Sequence, residues 1–438
     1  MRWFLQGFFW ITLYVVIVLS PLLVLWFGPR PEGREFWREF SVYLGFAGLA
    51  MMALQFLLTA RLRRAAAPYG IDILYHFHRQ ISLVAFLLIL AHPILLFVFE
   101  PALLSLLNFF EAPWRARFAV LATLLLILII VTSIWRVQLR LNYEVWRILH
   151  NVFAILIMVF ATLHVVGVGH YVELPWQRNL WLAMTAFWVL VFLYIRVWKP
   201  FMMYQNPYVL EEVRPEAQNT FSLVLRPEGH DGFTFMPGQF AWITLRKIPF
   251  AIREHPFSIS SSACEKGRLK FTIKCLGDFT CQITDLKPGE HAYIDGPYGS
   301  FSYKRHVSDG YGFIAGGVGI TPMMSMLRTL ADEGDERKLI LFYANERWED
   351  VIFRDELEKL KPRLNLEIVH ILNEPPKGWD GETGFVTEKI LKKYLTDDMR
   401  EWNYFVCGPD PMMDAVENAL GKLHVHLNHI HSERFSFV

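Results

Sequence analysis

Six apolar runs crowd into the first 200 of 438 residues, at roughly 4–27, 41–60, 73–99, 118–138, 146–168 and 179–198. Each is close to the ~20 residues that a helix needs to cross a hydrocarbon layer. Within a bilayer the backbone must satisfy its own hydrogen bonds, and a single apolar run does so only as a helix. The expectation is a six-helix transmembrane bundle over residues 1–200. The first run exceeds a signal-peptide core and has no small-x-small cleavage pattern, so it reads as a span.

The net charge of +1 conceals an asymmetry. Residues 1–200 carry 16 Lys and Arg against 8 Asp and Glu, and the remainder 27 against 34. With the N-terminus inside, ten basic residues fall on the inner side, among them Arg61, Arg63, Arg64, Arg136, Arg140 and Arg147; six fall outside. That bias favours a cytoplasmic N-terminus. Six spans then return the chain to the cytoplasm, so a cytoplasmic-membrane protein with its second half inside is expected. There is no basic patch of the kind that binds nucleic acid.

The third and fifth runs each hold two histidines 14 residues apart: His78 and His92, then His150 and His164. Fourteen helical residues rise about 21 Å and turn back to within about 40° of the same face. Both runs point outward in this topology, so His78 meets His150 near the inner face and His92 meets His164 nearer the outer one. Ionisable groups in a span are costly unless a partner or cofactor receives them, and imidazole is a good axial ligand for haem iron. Two b-type haems in series are expected, with these four histidines as the metal ligands. His76 points elsewhere on its helix, and His170 reads as a loop residue. Arg79 and Arg147 suit either haem propionates or membrane anchoring, and Gly167 and Gly169 either a close approach or a helix end.

From 206 the text is that of a globular protein. Residues 206–305 contain short strands separated by Gly/Pro turns, the pattern of a small antiparallel β-barrel. Residues 306–438 alternate strands and helices, the pattern of an α/β nucleotide-binding domain. There an apolar strand runs into Gly316, Gly317 and Gly319 and a helix opened by Thr321 and Pro322. Glycines admit a phosphate to the backbone, and the helix N-terminus offers it free N–H groups. Ligands lie at the carboxyl ends of such strands, here Asn345-Glu346-Arg347 and Cys407-Gly408-Pro409. The four cysteines (Cys264, Cys275, Cys281 and Cys407) lack metal-site spacing and read as free thiols in a reducing compartment.

Several stretches together resemble a known family: HPFSIS at 255–260, GDFT at 277–280, DGPYGSF at 295–301, GGVGITPMMSML at 316–327, CGPDPMM at 407–413 and ERF at 433–435. With the histidine spacing, they resemble the NADPH oxidase and ferric reductase superfamily, in its compact bacterial form: a ferric reductase-like transmembrane domain fused to a ferredoxin–NADP reductase-type flavoprotein. The resemblance implies that His255, Pro256, Phe257 and Ser258 bind the flavin of FAD. It implies that Ile273, Lys274, Gly277, Asp278, Phe279 and Thr280 line its adenine and pyrophosphate. Gly316 to Thr321 would hold the nicotinamide dinucleotide's phosphates, Cys407 and Gly408 would lie beside its nicotinamide, and Phe435 or its rival Phe437 would cover the flavin.

The implied activity is that of an NAD(P)H oxidase or ferric reductase: electrons from cytoplasmic NADPH pass by way of FAD and two haems to an acceptor outside. Arg347 matches an arginine that grips the 2′-phosphate of NADPH, whereas Glu346 beside it suits the unmodified ribose of NADH. Molecular oxygen, giving superoxide, is the expected acceptor, because the outer loops hold no metal-binding cluster. A ferric chelate and a separate redox protein on the outer face are the alternatives.

Overall fold

The computed structural model describes residues 2–27, 35–217, 219–250 and 253–434. It divides into two compact units, Met1–Pro200 and Phe201–Val438.

The first unit contains six long helices: α1 (Arg2–Phe27), α2 (Phe36–Thr59), α3 (Ile71–Phe99), α4 (Trp114–Ile134), α5 (Tyr143–Val168) and α6 (Pro175–Leu193). All six are long and apolar enough to cross a membrane. Several start three to five residues before the apolar runs, because polar first turns are helical too: α2 opens on Phe36-Trp37-Arg38-Glu39 and α5 on Tyr143-Glu144 behind an Asn142 side-chain cap. Beyond α6 the chain passes through a π turn, Tyr194–Trp198, and stays helical to Gln205. The outward faces are apolar, with Phe8 64% and Leu87 63% exposed, a surface that suits lipid and not water.

Inside, small residues set the spacing. A Cβ on Gly48 of α2 would lie 2.6 Å from Ile89 and 3.1 Å from the Ala85 carbonyl of α3. Glycine there lets the two backbones approach closely, the usual device where helices pack without a hydrophobic driving force. Around that contact Phe46, Met52, Leu126, Ile129, Ile157, Met158 and Trp188 form the core.

The second unit holds two six-stranded sheets. The first is antiparallel, ordered β4-β3-β6-β1-β2-β5, from β1 (Tyr208–Ala217), β2 (Thr220–Pro227), β3 (Phe240–Leu245), β4 (His255–Ser258), β5 (Leu269–Lys274) and β6 (His291–Tyr298). A single antiparallel bridge, Ile259 to Phe271, links the end of one edge strand to the other. Leu223, Leu225, Ala241, Ile243 and Phe271 belong to its buried core.

The second sheet is ordered β10-β9-β8-β7-β11-β12 and is parallel throughout. Its strands are β7 (Gly310–Gly316), β8 (Lys338–Asn345), β9 (Asn365–Leu372), β10 (Glu382–Thr383), β11 (Asn403–Cys407) and β12 (Ile430–Ser432). Buried on both faces, β7 and β11 read as continuous apolar text rather than alternation. Helix α7 (Ile320–Glu333) follows β7 and helix α8 (Asp410–Lys422) follows β11.

Candidate functional site

In the first unit α3 and α5 bring the four histidines into two pairs. The His78 and His150 ring centroids are 6.4 Å apart, and those of His92 and His164 are 6.5 Å apart, with interplanar angles of 62° and 59°. Two imidazoles bonded to one iron at roughly 2 Å each, through the nitrogens remote from the backbone, would hold their centroids roughly 6.3 Å apart. Both pairs fit that requirement.

The second ring nitrogens support the same use. His92 Nδ1 lies 3.0 Å from the Ser41 carbonyl and His164 Nδ1 lies 3.0 Å from the Arg115 carbonyl. A carbonyl can only accept, so each Nδ1 carries the proton and each Nε2 keeps its lone pair for a metal. The Ser133 hydroxyl donates to the Ile129 carbonyl at 2.6 Å, which leaves its oxygen to accept from His150 Nδ1 at 3.4 Å. His78 Nδ1 is buried and has no hydrogen-bond partner among the described residues. Gly45 of α2 stands where a Cβ would come within 3.2 Å of the His92 ring. No group of three or more His, Cys, Asp or Glu among the described residues is placed to hold a metal ion.

In the second unit the expected flavin segment is strand β4. Its residues His255, Pro256, Phe257 and Ser258 pair with Ile243, Trp242, Ala241 and Phe240 of β3. The Phe279 ring lies 3.9 Å from His255 and 6.1 Å from Phe257, nearly parallel to the latter. Two segments expected on one ligand are thus brought together. Ser258 is buried, and its hydroxyl is without a hydrogen-bond partner among the described residues. A hydroxyl kept dry in that way suits a bound polar group.

Ile273 and Lys274 end β5, and Gly277 to Thr280 form the turn after it. The Thr280 hydroxyl accepts from the Leu276 and Gly277 N–H groups at 2.9 and 3.0 Å and donates to the Gly277 carbonyl. This turn overturns the expectation of four free thiols. Cys275 and Cys281 form a disulfide across it, their Cα atoms 4.5 Å apart, because the turn folds two residues six apart in sequence back on each other. Cys264 and Cys407 are free.

The segments expected to hold the nucleotide meet where β7 and β11 adjoin. Gly317 has φ +52°, a conformation glycine adopts without cost. A Cβ on Gly316 would press on Met412 and Pro409, and one on Gly408 would lie 3.1 Å from Gly316. Thr321 and Pro322 are buried in the first turn of α7. Cys407 is fully buried at the end of β11; burial, with the nearby Glu433 carboxylate adding to it, pushes its thiol well up, so it stays protonated. The Glu433 N–H donates to the Val406 carbonyl at 3.2 Å, which sets the acid beside that strand end. Sequence reasoning passed over Glu433, although it opens the ERF triplet. Phe435 and Phe437 lie outside the described residues.

Arg347, just past β8, is exposed and paired. Its Nε and Nη2 both lie 2.7 Å from a carboxylate oxygen of Glu374. No local pattern announces Glu374: it is 27 residues away and arrives through the pairing of β8 with β9.

Three family models match the chain in order: a ferric reductase like transmembrane component over residues 44–161, an FAD-binding domain over 206–302 and an oxidoreductase NAD-binding domain over 313–418. The chain has the architecture of the NADPH oxidase and ferric reductase superfamily. By family it is an oxidoreductase with FAD and NAD(P)H domains on a multi-pass membrane protein. It is similar to NADH-cytochrome b5 reductase 1 of Aspergillus terreus, 36% identical over 172 residues, or 37% of this chain and 58% of that one. It is also similar to the Arabidopsis thaliana NADH–cytochrome b5 reductase 1, 31% identical over 166 residues, or 37% and 59%. The chain thus spans less than two thirds of these relatives' length. Among solved structures, the cytochrome b5 reductase domain of Ulva prolifera nitrate reductase aligns with a TM-score of 0.46 at 21% identity, covering 52% of this chain and 97% of that one.

Proposed function

We propose that this chain is a transmembrane NAD(P)H oxidase: it takes electrons from NAD(P)H on the cytoplasmic side and delivers them to molecular oxygen on the outer side as superoxide. The observation that carries the proposal is the pair of matched imidazole sites, 6.4 and 6.5 Å between ring centroids, of whose four histidines His78, His92 and His150 lie within the ferric reductase match. When bound, FAD supplies hydride acceptance and the release of single electrons, and haem supplies one-electron carriage.

The chain's residues supply position and protonation. His78 with His150 and His92 with His164 would hold the two irons. The Ser41 and Arg115 carbonyls keep the protons of His92 and His164 on Nδ1. Phe257 and Ser258 would hold the flavin of FAD, Phe279 beside them would line its adenine and pyrophosphate, and Gly316 to Pro322 would hold the dinucleotide's phosphates. Cys407, buried and protonated, would pack beside the nicotinamide without attacking it, and Phe435 or its rival Phe437 would cover the flavin. Hydride transfer needs no acid or base, so none is assigned. The Arg and Lys distribution supports an N-terminus and second unit on the cytoplasmic side of the cell membrane, and the relatives named as NADH reductases support a nicotinamide dinucleotide as donor.

The deciding experiment is NAD(P)H-driven cytochrome c reduction by the haem-loaded chain in detergent, with and without superoxide dismutase. Inhibition by dismutase is the expected result. Reduction that ignores dismutase would refute the oxidase reading. It would favour a ferric chelate, the second reading suggested by the family match, or a protein acceptor.

A further inference from the structure

The adenosine end of the nucleotide site is where the sequence pulls two ways, and its geometry leans to one side. In a parallel sheet whose first strand ends in a phosphate turn, the end of the neighbouring strand reads the adenosine ribose. Here the first strand is β7, the neighbour is β8, and the residues past β8 are Glu346 and Arg347. Strand β9 runs parallel to β8, and the pairing continues past both: the Asn373 N–H donates to the Asn345 carbonyl at 3.1 Å and the Glu374 N–H to the Glu346 carbonyl at 2.8 Å. That register sets two carboxylates at one corner. Glu346 accepts from the Asn373 amide at 3.0 Å, and Glu374 takes two guanidinium nitrogens of Arg347 at 2.7 Å.

We infer that Glu374 sets the nucleotide preference, by occupying Arg347, and that this chain prefers NADH to NADPH. The inference rests on the proposed NAD(P)H oxidase reading and deepens it. A 2′-phosphate carries roughly −1.5 to −2 charge at neutral pH. At this corner it meets two carboxylates and a guanidinium whose Nε and Nη2 edge already holds an acid. An unmodified ribose brings hydroxyl donors, which a carboxylate such as Glu346 accepts. The Arg347–Glu374 pair is exposed, at 59% and 54%, and adds little by itself. Its effect on choice comes from the negative charge it keeps beside the phosphate's position, a repulsive element of the kind that specificity requires.

The test uses the full chain, loaded with FAD, in detergent. Binding of 5′-AMP and of its 2′-phosphorylated form is measured by titration calorimetry, and anaerobic bleaching of the flavin is followed with NADH and with NADPH. The wild-type chain is expected to bind the 2′-phosphorylated nucleotide more weakly and to favour NADH in kcat/KM by roughly tenfold or more. Glu374→Gln should improve the 2′-phosphorylated over the plain nucleotide by about tenfold, the scale of one charge-assisted contact. The double variant Glu374→Gln with Arg347→Ala should lose that gain. A wild-type preference for NADPH, or a Glu374→Gln ratio that moves less than about twofold, would overturn the inference. If neither nucleotide bleaches the flavin, the proposed oxidase falls, while the calorimetry still decides the role of Glu374.

Discussion

The proton on Nδ1 of His92 and His164 is fixed by two groups that no side chain supplies, the carbonyls of Ser41 and Arg115. The four histidines were legible in the sequence through their 14-residue spacing; the carbonyls were not, since every residue has one. At this scale His92→Ala and His164→Ala should each remove roughly half of the haem Soret absorbance, while bleaching of the flavin by NAD(P)H continues. A double variant with an undiminished Soret band would refute the ligand assignment. Gly45→Val, which sets a branched side chain at 3.2 Å from the His92 ring, should lower haem occupancy at the His92–His164 pair in the same spectrum while Gly45→Ala does so less.

Secondary structure was readable wherever composition and periodicity speak directly, as in the glycine turn after β7 and the long apolar runs. What joins elements was not. Helix α7 begins at the glycine turn after β7, and its far end grips the residues that follow β4. The Ser325 hydroxyl donates to the Ser261 carbonyl at 2.8 Å, the Thr329 hydroxyl accepts from the Ala263 N–H at 2.9 Å, and Arg328 binds both the Ser260 carbonyl and Glu356. These partners are 64 to 68 residues apart, apart from Glu356, and no window of sequence spans them. Arg328 is 11% exposed, so Arg328→Met should cost about 1–3 kcal/mol, the range for leaving a buried acceptor unpaired, read as a lower thermal midpoint of FAD release. A second tie stacks His306 on His431 of β12, centroids 3.6 Å apart. Burial, with Arg305 nearby, lowers His306 to about 4; burial and then the neighbouring His306 and His429 lower His431 to about 3. Folded values below the ordinary one mean that the unfolded chain binds protons first. The stabilisation is therefore complete above about pH 6.5 and fades as pH falls toward 4 and then 3. Melting curves of the full chain between pH 7 and 4 should show this loss, and His431→Phe should shallow it.

For the molecule as a whole, the division between an apolar half and a globular half was plain from composition alone. The Cys275–Cys281 disulfide and the Arg347–Glu374 pair were hidden, the first by a turn and the second by strand order. In sealed vesicles with both haems loaded, NADH on the side of the second unit should reduce an acceptor trapped on the other side. His78→Ala should abolish that transfer yet leave reduction of a soluble dye on the NADH side intact; equal loss of both would argue that the histidines support the fold alone. The histidine pairs also carry a mechanical consequence. Helices α3 and α5 act as two rails, and the pairs are rungs of nearly equal length, 6.4 and 6.5 Å. Over the roughly 21 Å between rungs, a splay of about 3° would make one about 1 Å longer than the other. A rail can pivot about one rung and lengthen the other alone, so an occupant of fixed length in a single site would leave the helices free to splay, whereas occupants in both would lock the rails parallel.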